Sequence, residues 1–363
     1  CLGCLACQAV CPSGVDYGHL LEAGRAQARA ITEKNRLTRW IETLVFQWLF
    51  MSMARFRLTA RSLWLYQRSG IQWLARKLGL IKAMGLAELE ALLPRMDDRF
   101  VTPDGTVYAP TGAGIAPKRV ALITGCVQSV AFAEVHAATI HALQVNGCEV
   151  VLPPGQECCG ALHAHSGDLS RSMELARINI DALEGADADY IVVNAAGCSH
   201  HMKDYAHALK DDPDYAERAQ ELVAKTRDIT ELLAELGPKP PVNSLNWQVT
   251  YQDPCHLAHG QKIVSQPRQV LNAIPGLELI EMAESSMCCG SAGTYNILQR
   301  EMSQRLLDRK MDNTEATGAE VIASANTGCM IQMRSGVKQR GMEARVLHVV
   351  EILDAAYRLD EGA

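Results

Sequence analysis

Thirteen cysteines stand in a chain of 363 residues, and twelve of them fall into three groups. The first group, Cys1, Cys4, Cys7 and Cys11 followed by Pro12, fits C-x2-C-x2-C-x3-C-P at every position. That run holds 4Fe-4S clusters in two-cluster ferredoxins: three thiolates on a tight loop take one cubane and the fourth ligates another. Zinc is the competing reading, but zinc pairs usually recur as two separated C-x2-C arms. Cys11 therefore needs an upstream twin motif to complete its cluster, and the full-length protein is expected to hold two ferredoxin-type clusters. A chain that opens on Cys1, with no initiating Met, is expected to lack its own N-terminus.

The second group is Cys126, Cys158, Cys159 and Cys198, and the third is Cys255, Cys288, Cys289 and Cys329. Each contains an adjacent pair followed by a glycine, Gly160 or Gly290. Successive side chains on a strand point to opposite faces, so two neighbours do not readily reach one metal from regular strand geometry. The glycine relaxes the backbone and lets it approach a cluster closely. Four cysteines suffice for one 4Fe-4S cluster per group, with cubane or opened geometry left undecided. A vicinal redox disulfide, structural zinc and buried thiols acting as small hydrophobes are the alternatives. The last explains poorly why the same constellation occurs twice.

Cys148 belongs to no group and precedes an apolar run, which reads as a buried thiol. His163, His165, His200, His201, His256 and His259 crowd the cysteine motifs, where imidazoles could hydrogen-bond sulfur, tune potential or move protons. An odd cysteine count does not close into disulfides, and no apolar leader precedes Pro12. A reducing, cytoplasmic compartment is the expectation.

The elements that position these groups repeat. Residues 119–124, 149–152 and 190–194 read as strands leading to the second group, and residues 247–251, 277–280 and 320–323 as strands leading to the third. Corresponding cysteines are offset by 129 (126 to 255), 130 (158 to 288) and 131 (198 to 329), which marks a duplication. Strands alternating with helical segments predict an α/β fold with small, mostly parallel sheets. Ligands then gather beyond the strand ends, near helix N-termini that favour anionic groups. The expected domains are a partial ferredoxin-like unit at 1–30, a helical region at 31–101, a linker at 102–117, and two Cys-Cys-Gly domains at 118–236 and 245–363. Gly112 and Gly114 follow no strand and read as linker, not as a nucleotide loop.

A net charge of -6 gives no global field for nucleic acid, so no nucleic-acid partner is expected. Locally the balance differs. Residues 43–87 contain no Asp or Glu but carry Arg55, Arg57, Arg61, Arg68, Arg76, Lys77, Lys82 and three tryptophans. Such a surface suits peripheral contact with an anionic membrane, on its inner face, or with an acidic partner. An ordinary helical core with a basic outer face is the alternative. The apolar run at 44–54 is too short to span a bilayer.

A duplicated Cys-Cys-Gly domain behind the string Cys1-Leu-Gly-Cys-Leu-Ala-Cys-Gln-Ala-Val-Cys-Pro resembles the iron-sulfur subunit of glycolate oxidase. Its relatives serve lactate utilisation, anaerobic glycerol-3-phosphate oxidation and heterodisulfide reduction. The resemblance covers essentially the whole chain. It implies a non-catalytic electron-transfer subunit that takes electrons from flavoprotein partners oxidising glycolate or a similar 2-hydroxy acid and passes them toward quinone. All twelve grouped cysteines would bind clusters, and no catalytic residue is expected. The alternative is a catalytic subunit like heterodisulfide reductase, acting at a Cys-Cys-Gly cluster. Those reductases end each repeat with a further cysteine where this chain has His201 and Gln332, so their five-cysteine clusters are not implied.

Overall fold

The computed structural model describes residues 1–86, 90, 93–111 and 118–358, so Gly112 and Gly114 lie outside the described residues. Two sheets organise the chain. The first has β1 (Val107–Tyr108), β2 (Lys118–Ile123), β3 (Cys148–Val151), β4 (Tyr190–Val193) and β5 (Thr226–Asp228), in the order β1-β3-β2-β4-β5. The second has β6 (Gln248–Tyr251), β7 (Glu278–Ile280), β8 (Val321–Ser324) and β9 (Arg345–His348), in the order β7-β6-β8-β9. Apart from β1, the two orders are the same once the copies are superposed in sequence, and every pairing but β1 with β3 is parallel. The fold is α/β, as the alternation of strands and helices requires.

The six strands expected from apolar runs are present. Two more, β5 and β9, escape a hydrophobicity reading because they are short and begin on Thr226 and Arg345. β1 comes from the Pro/Gly-rich segment at 102–117: Val107 and Tyr108 pair antiparallel with Val151 and Val150 at the edge of the first sheet. A parallel partner would need a crossover, whereas a short return from an irregular segment can add only an antiparallel edge.

Strand alternation buries both faces. Val120 and Leu122 of β2 enter one apolar cluster, while Ala121 and Ile123 enter another. The larger cluster joins the copies, with Val249, Tyr251 and Ile322 of the second sheet in the same contiguous core. The joining is reciprocal. Helix Ala133–Val145 of the first copy packs against helix Val349–Tyr357 of the second, and helix Ile229–Leu236 packs against Ser265–Asn272. The copies are thus halves of one body, not beads on a string.

Both copies start their last helix with a capping box. Asp228 accepts from Thr230 N while Glu231 accepts from Asp228 N; His348 accepts from Val350 N while Glu351 accepts from His348 N. A histidine in this role must be neutral to accept, and burial lowers the His348 imidazole to about 3. His136, buried and bonded to Thr124 O at 2.8 Å, is lowered by burial to about 4.

A pH dependence follows. With folded values below the ordinary 6.5, the unfolded chain binds more protons than the folded one between about 6.5 and 4. Stability is full above that window and falls as pH drops through it, by about 1.4 kcal/mol per pH unit per histidine. Urea midpoints at pH 7.5 and 5.5 measure this. His348→Asn keeps a capping acceptor and should flatten the slope by one histidine's share, since His136, His201 and His256 are lowered by burial too; an unchanged slope would remove His348 from the account.

Candidate cysteine centres and their lid

Each Cys-Cys-Gly turn leaves its sheet as a loop, not as a strand. Cys158 and Cys159 follow β3 by several residues, and Gly160 adopts φ +88; Gly290 after Cys288 and Cys289 adopts φ +90. The alternation that sets neighbouring side chains apart on a strand does not apply, and the structure brings each adjacent pair together with its distant partners. In the first copy, Cys126 stands at the N-cap of helix Val127–Ala131 and Cys198 in the first turn of Ala196–Lys203. Cys158 Sγ and Cys126 Sγ lie 3.8 Å apart in a hydrogen bond, and Cys159 hydrogen-bonds Cys198. In the second copy, Cys255 precedes a π-helical turn, His256–Gly260, and bonds Cys288; Cys289 bonds Cys329, in the first turn of Thr327–Arg340. Asn326 Nδ2 donates to Cys329 Sγ at 3.2 Å, and Gly290 N to Cys288 Sγ at 3.4 Å.

Thiols so arranged resist ionisation. Cys126 and Cys255 are pushed well up, first by the hydrogen bonds in which they hold their protons toward Cys158 and Cys288 and then by burial. For Cys159 and Cys289 the bonds from Cys158 and Cys288 pull down, but those to Cys198 and Cys329, together with burial, prevail. Metal ligation needs thiolates, so these sets call for a cationic core to balance four buried negative charges. Among the described residues, no group of three or more Cys, His, Asp or Glu is close enough to hold a single metal ion. One zinc requires every sulfur at about 2.3 Å from a single point. A cubane offers iron at separate corners and tolerates wider spacing, so the donor set fits an iron-sulfur cluster better than zinc. The thirteen cysteines are all free thiols, Cys148 among them, buried and raised by burial to about 11.

Both sets open onto one cavity of about 750 Å³, with the ferredoxin-type loop at its side. Leu5, buried at φ 61, turns that loop, and His256 Nε2 donates to Gly3 O at 2.9 Å. Arg25 clamps it to the first copy, donating to Cys1 O at 2.8 Å and His165 O at 2.9 Å. Burial pushes the Cys4 thiol up, and the nearby thiols of Cys255 and Cys7 push the same way, so the first and third cysteine groups are electrostatic neighbours. Cys11 differs: half-buried, it is lowered by the amides of Val15, Ser13 and Gly14.

Sequence reasoning missed the lid. The π-helix Thr43–Leu49 and the helix Met53–Arg68 lay Phe50, Met53 and Phe56 against Cys126 and Cys158. His163 Nε2 pins this lid by donating to Phe46 O at 2.8 Å. Only its apolar spacing was visible in sequence, with nothing to say what it covers. The other histidines gather beyond. His200 and His256 rings lie 4.9 Å apart, His165 and His256 5.1 Å, and His165 bonds Glu22 at 3.0 Å. His259 bonds Ser286 O at 3.0 Å. At the two fifth-cysteine positions, His201 Nε2 bonds Ser172 Oγ at 2.9 Å and Gln332 Nε2 bonds Ser303 Oγ at 3.2 Å. Burial lowers His201 to about 3 and His256 to about 4.

Comparison with known proteins agrees with this architecture. The model of a cysteine-rich domain matches twice, at residues 120–203 and 249–334, and that of the glycolate oxidase iron-sulfur subunit linker region matches residues 37–93. The chain is 41% identical to the Bacillus subtilis (strain 168) protein named "Probable glycolate oxidase iron-sulfur subunit", over 97% of this chain and 81% of that one. The chain belongs to the glycolate oxidase iron-sulfur subunit family. Lactate utilization protein A from Exiguobacterium sp. (strain ATCC BAA-1283 / AT1b) is 32% identical, covering 65% of this chain and 96% of that protein. Its counterpart from Geobacillus kaustophilus (strain HTA426) is 30% identical, covering 65% and 99%. The family's linker region is the segment that forms the lid.

The glycines answer a packing demand besides the one expected of them. A Cβ at Gly290 would lie 2.5 Å from Ser303 O, and one at Gly160 would lie 3.0 Å from Ser172 Oγ, both at positive φ. Gly290→Ala and Gly160→Ala should each cost about 1–3 kcal/mol from φ alone, with Gly290→Ala the worse because backbone cannot step aside. Thermal melts rank the two. Equal or negligible losses would show that the turns have more room than these contacts allow.

Proposed function

We propose that this chain is the iron-sulfur electron-transfer subunit of a flavoenzyme complex that oxidises glycolate or a similar 2-hydroxy acid, taking electrons from a flavoprotein partner and passing them toward quinone. The observation that carries the reading is the convergence of two four-cysteine sets on one cavity beside the ferredoxin-type loop. Family membership supports the hydroxy-acid partner. When bound, iron-sulfur clusters supply the one-electron storage that thiols lack.

In this reading Cys126, Cys158, Cys159 and Cys198 hold one 4Fe-4S cluster and Cys255, Cys288, Cys289 and Cys329 a second. Cys1, Cys4 and Cys7 hold a ferredoxin-type cluster, and Cys11 contributes to its twin. Phe50, Met53 and Phe56 exclude water from the first set. The His256 and Arg25 bonds hold the ferredoxin-type loop in register with the second. The units at 1–30, 31–101, 102–117, 118–236 and 245–363 are then loop, lid, connection and paired centres. His201 and Gln332 spend their bonds on Ser172 and Ser303, which favours the relay over disulfide chemistry at an opened cluster.

No helix among the described residues is long and apolar enough to cross a membrane. We place the electron exit at a membrane surface reached by the two short helices that follow the lid, Ile71–Lys77 and Leu80–Ala83. There Trp73, Leu74, Leu78 and Met84 are exposed, and Lys77 lies over Trp73 at 4.7 Å. Arg68 and Arg76 are already paired with Asp98 and Glu90, so Lys77 and Lys82 are the better cationic contacts.

Cys158→Ser or Cys288→Ser should cut electron transfer to quinone or dye by more than tenfold while substrate still reduces the partner flavin. Loss of flavin reduction in an assembled complex would overturn the relay. Replacing Lys77 and Lys82 with Gln should weaken binding to anionic vesicles, and the residual binding should respond less to salt. Identical sedimentation with vesicles before and after substitution would move the exit elsewhere.

A further inference from the structure

The duplication allows the two centres to be compared residue by residue. Helices Leu169–Glu184 and Arg300–Glu315 are both 16 residues long and begin 131 positions apart. The register is fixed by contact: Gly160 abuts Ser172 and Gly290 abuts Ser303, while Ser172 bonds His201 and Ser303 bonds Gln332. Seven residues further along each helix stand Asn179 and Lys310. They do the same mechanical job. Asn179 holds the first Cys-Cys-Gly loop, accepting from Glu157 N at 3.0 Å and donating to Cys158 O at 3.0 Å. Lys310 holds the segment leading into the second, donating to Glu284 O at 2.8 Å and Ser285 O at 3.0 Å.

They differ in charge. Lys310 is fully buried, and its hydrogen bonds go to carbonyls, which leave its positive charge unneutralised. The Glu284 carboxylate is taken by Arg309 and Asn313, and Asp253 by two bonds from Arg268 at 2.9 and 2.8 Å. Burial pushes the Lys310 ammonium down, and the groups whose ionised forms would hold its charge are Cys289, Cys329, Asp253 and Cys288. A buried ammonium is costly unless an anion faces it, and a thiolate-bound cluster is such an anion. The first centre has a neutral amide at the same place.

We propose that Lys310 sets the electron gradient between the two Cys-Cys-Gly centres, holding the second at the higher reduction potential so that electrons pool there. The inference rests on the relay reading above. A fixed positive charge stabilises the reduced, more negative state of the centre beside it. One electron arrives from the flavoprotein partner and one leaves to the acceptor; no bond or proton moves. Lys310 is a positioning and tuning residue, not a ligand.

The test is a dithionite titration of the anaerobically purified complex, followed by electron paramagnetic resonance, on wild type, K310N, K310Q and K310R. K310N installs the first copy's residue, and K310Q keeps a neutral donor of greater reach should K310N fold poorly. Both neutral variants should lower the midpoint of one centre, shifting its electron occupancy at a given potential at least tenfold, about 59 mV for a one-electron couple. The other midpoint should stay put, and K310R should resemble wild type. Unmoved midpoints in an iron-loaded neutral variant, or equal falls at both centres, overturn the proposal. Loss of iron in both neutral variants but not K310R would likewise overturn it, making the charge a requirement for assembly. Wild-type protein carrying zinc or no iron would sink the relay reading itself.

Discussion

Eight thiols in two sets of four, set beyond the ends of two sheets with one another as neighbours, impose the constraint on which this structure turns. Cys126, Cys158, Cys159, Cys255, Cys288 and Cys289 resist ionising alone: a neighbouring sulfur takes their proton in a hydrogen bond or repels their charge, and burial withholds the solvent that would stabilise a thiolate. A cationic core shared among four sulfurs removes the conflict, so loading such a centre and completing the fold around it are linked processes. The surrounding choices serve that arrangement. The positive-φ glycines let the cysteine turns press against a helix, Asn179 and Lys310 tie the turns or their approaches down, and phenylalanines with a methionine close the first set over.

The reciprocal helix packing explains why duplication yields one cavity and not two distant sites. Each copy lends a helix to the other's core, which points both strand-end edges toward a common space. The ferredoxin-type loop docks into that space through Leu5, Gly3 and Arg25, contacting both copies at once. Symmetry also makes departures from it informative. β1 is added to one sheet, His201 stands where Gln332 does, and Asn179 stands where Lys310 does. The first alters an edge, whereas the others alter polarity or charge beside a centre.

Much of this was legible in the sequence because cysteine spacing and apolar strand runs are local signals. Residues 119–124 or 320–323 could hardly be other than buried strands, and regular offsets exposed the repeat. The polar strands at Thr226 and Arg345 were not legible, since their pairing is dictated by the sheet that receives them. Reasoning from strand geometry also made the adjacent cysteines harder to accommodate than they are, because the turn that carries them has left the sheet before Cys158. Lys310 was invisible for a different reason. A lysine within a polar helix reads as surface, and its burial appears only when the second copy is folded against the cysteine turn.

The lid region shows how one segment can serve two environments. Its inward side supplies Phe46, Phe50 and Met53, buried or partly buried near the first set, while Trp40, Trp48, Leu58 and Trp73 face outward. Outward apolar groups are unfavourable in water, and here they are interleaved with arginines and lysines stacked on the rings: Arg55 over Trp48 at 5.4 Å and Lys77 over Trp73 at 4.7 Å. Stacking of this kind keeps cations near the apolar surface without giving up hydration of the charge. It also leaves the ring free to enter a partner or an interfacial layer while the cation meets an acid or a phosphate. The same π-helix that turns Trp48 outward carries Phe46 inward, so a contact made outside bears on the segment that closes the first cysteine set.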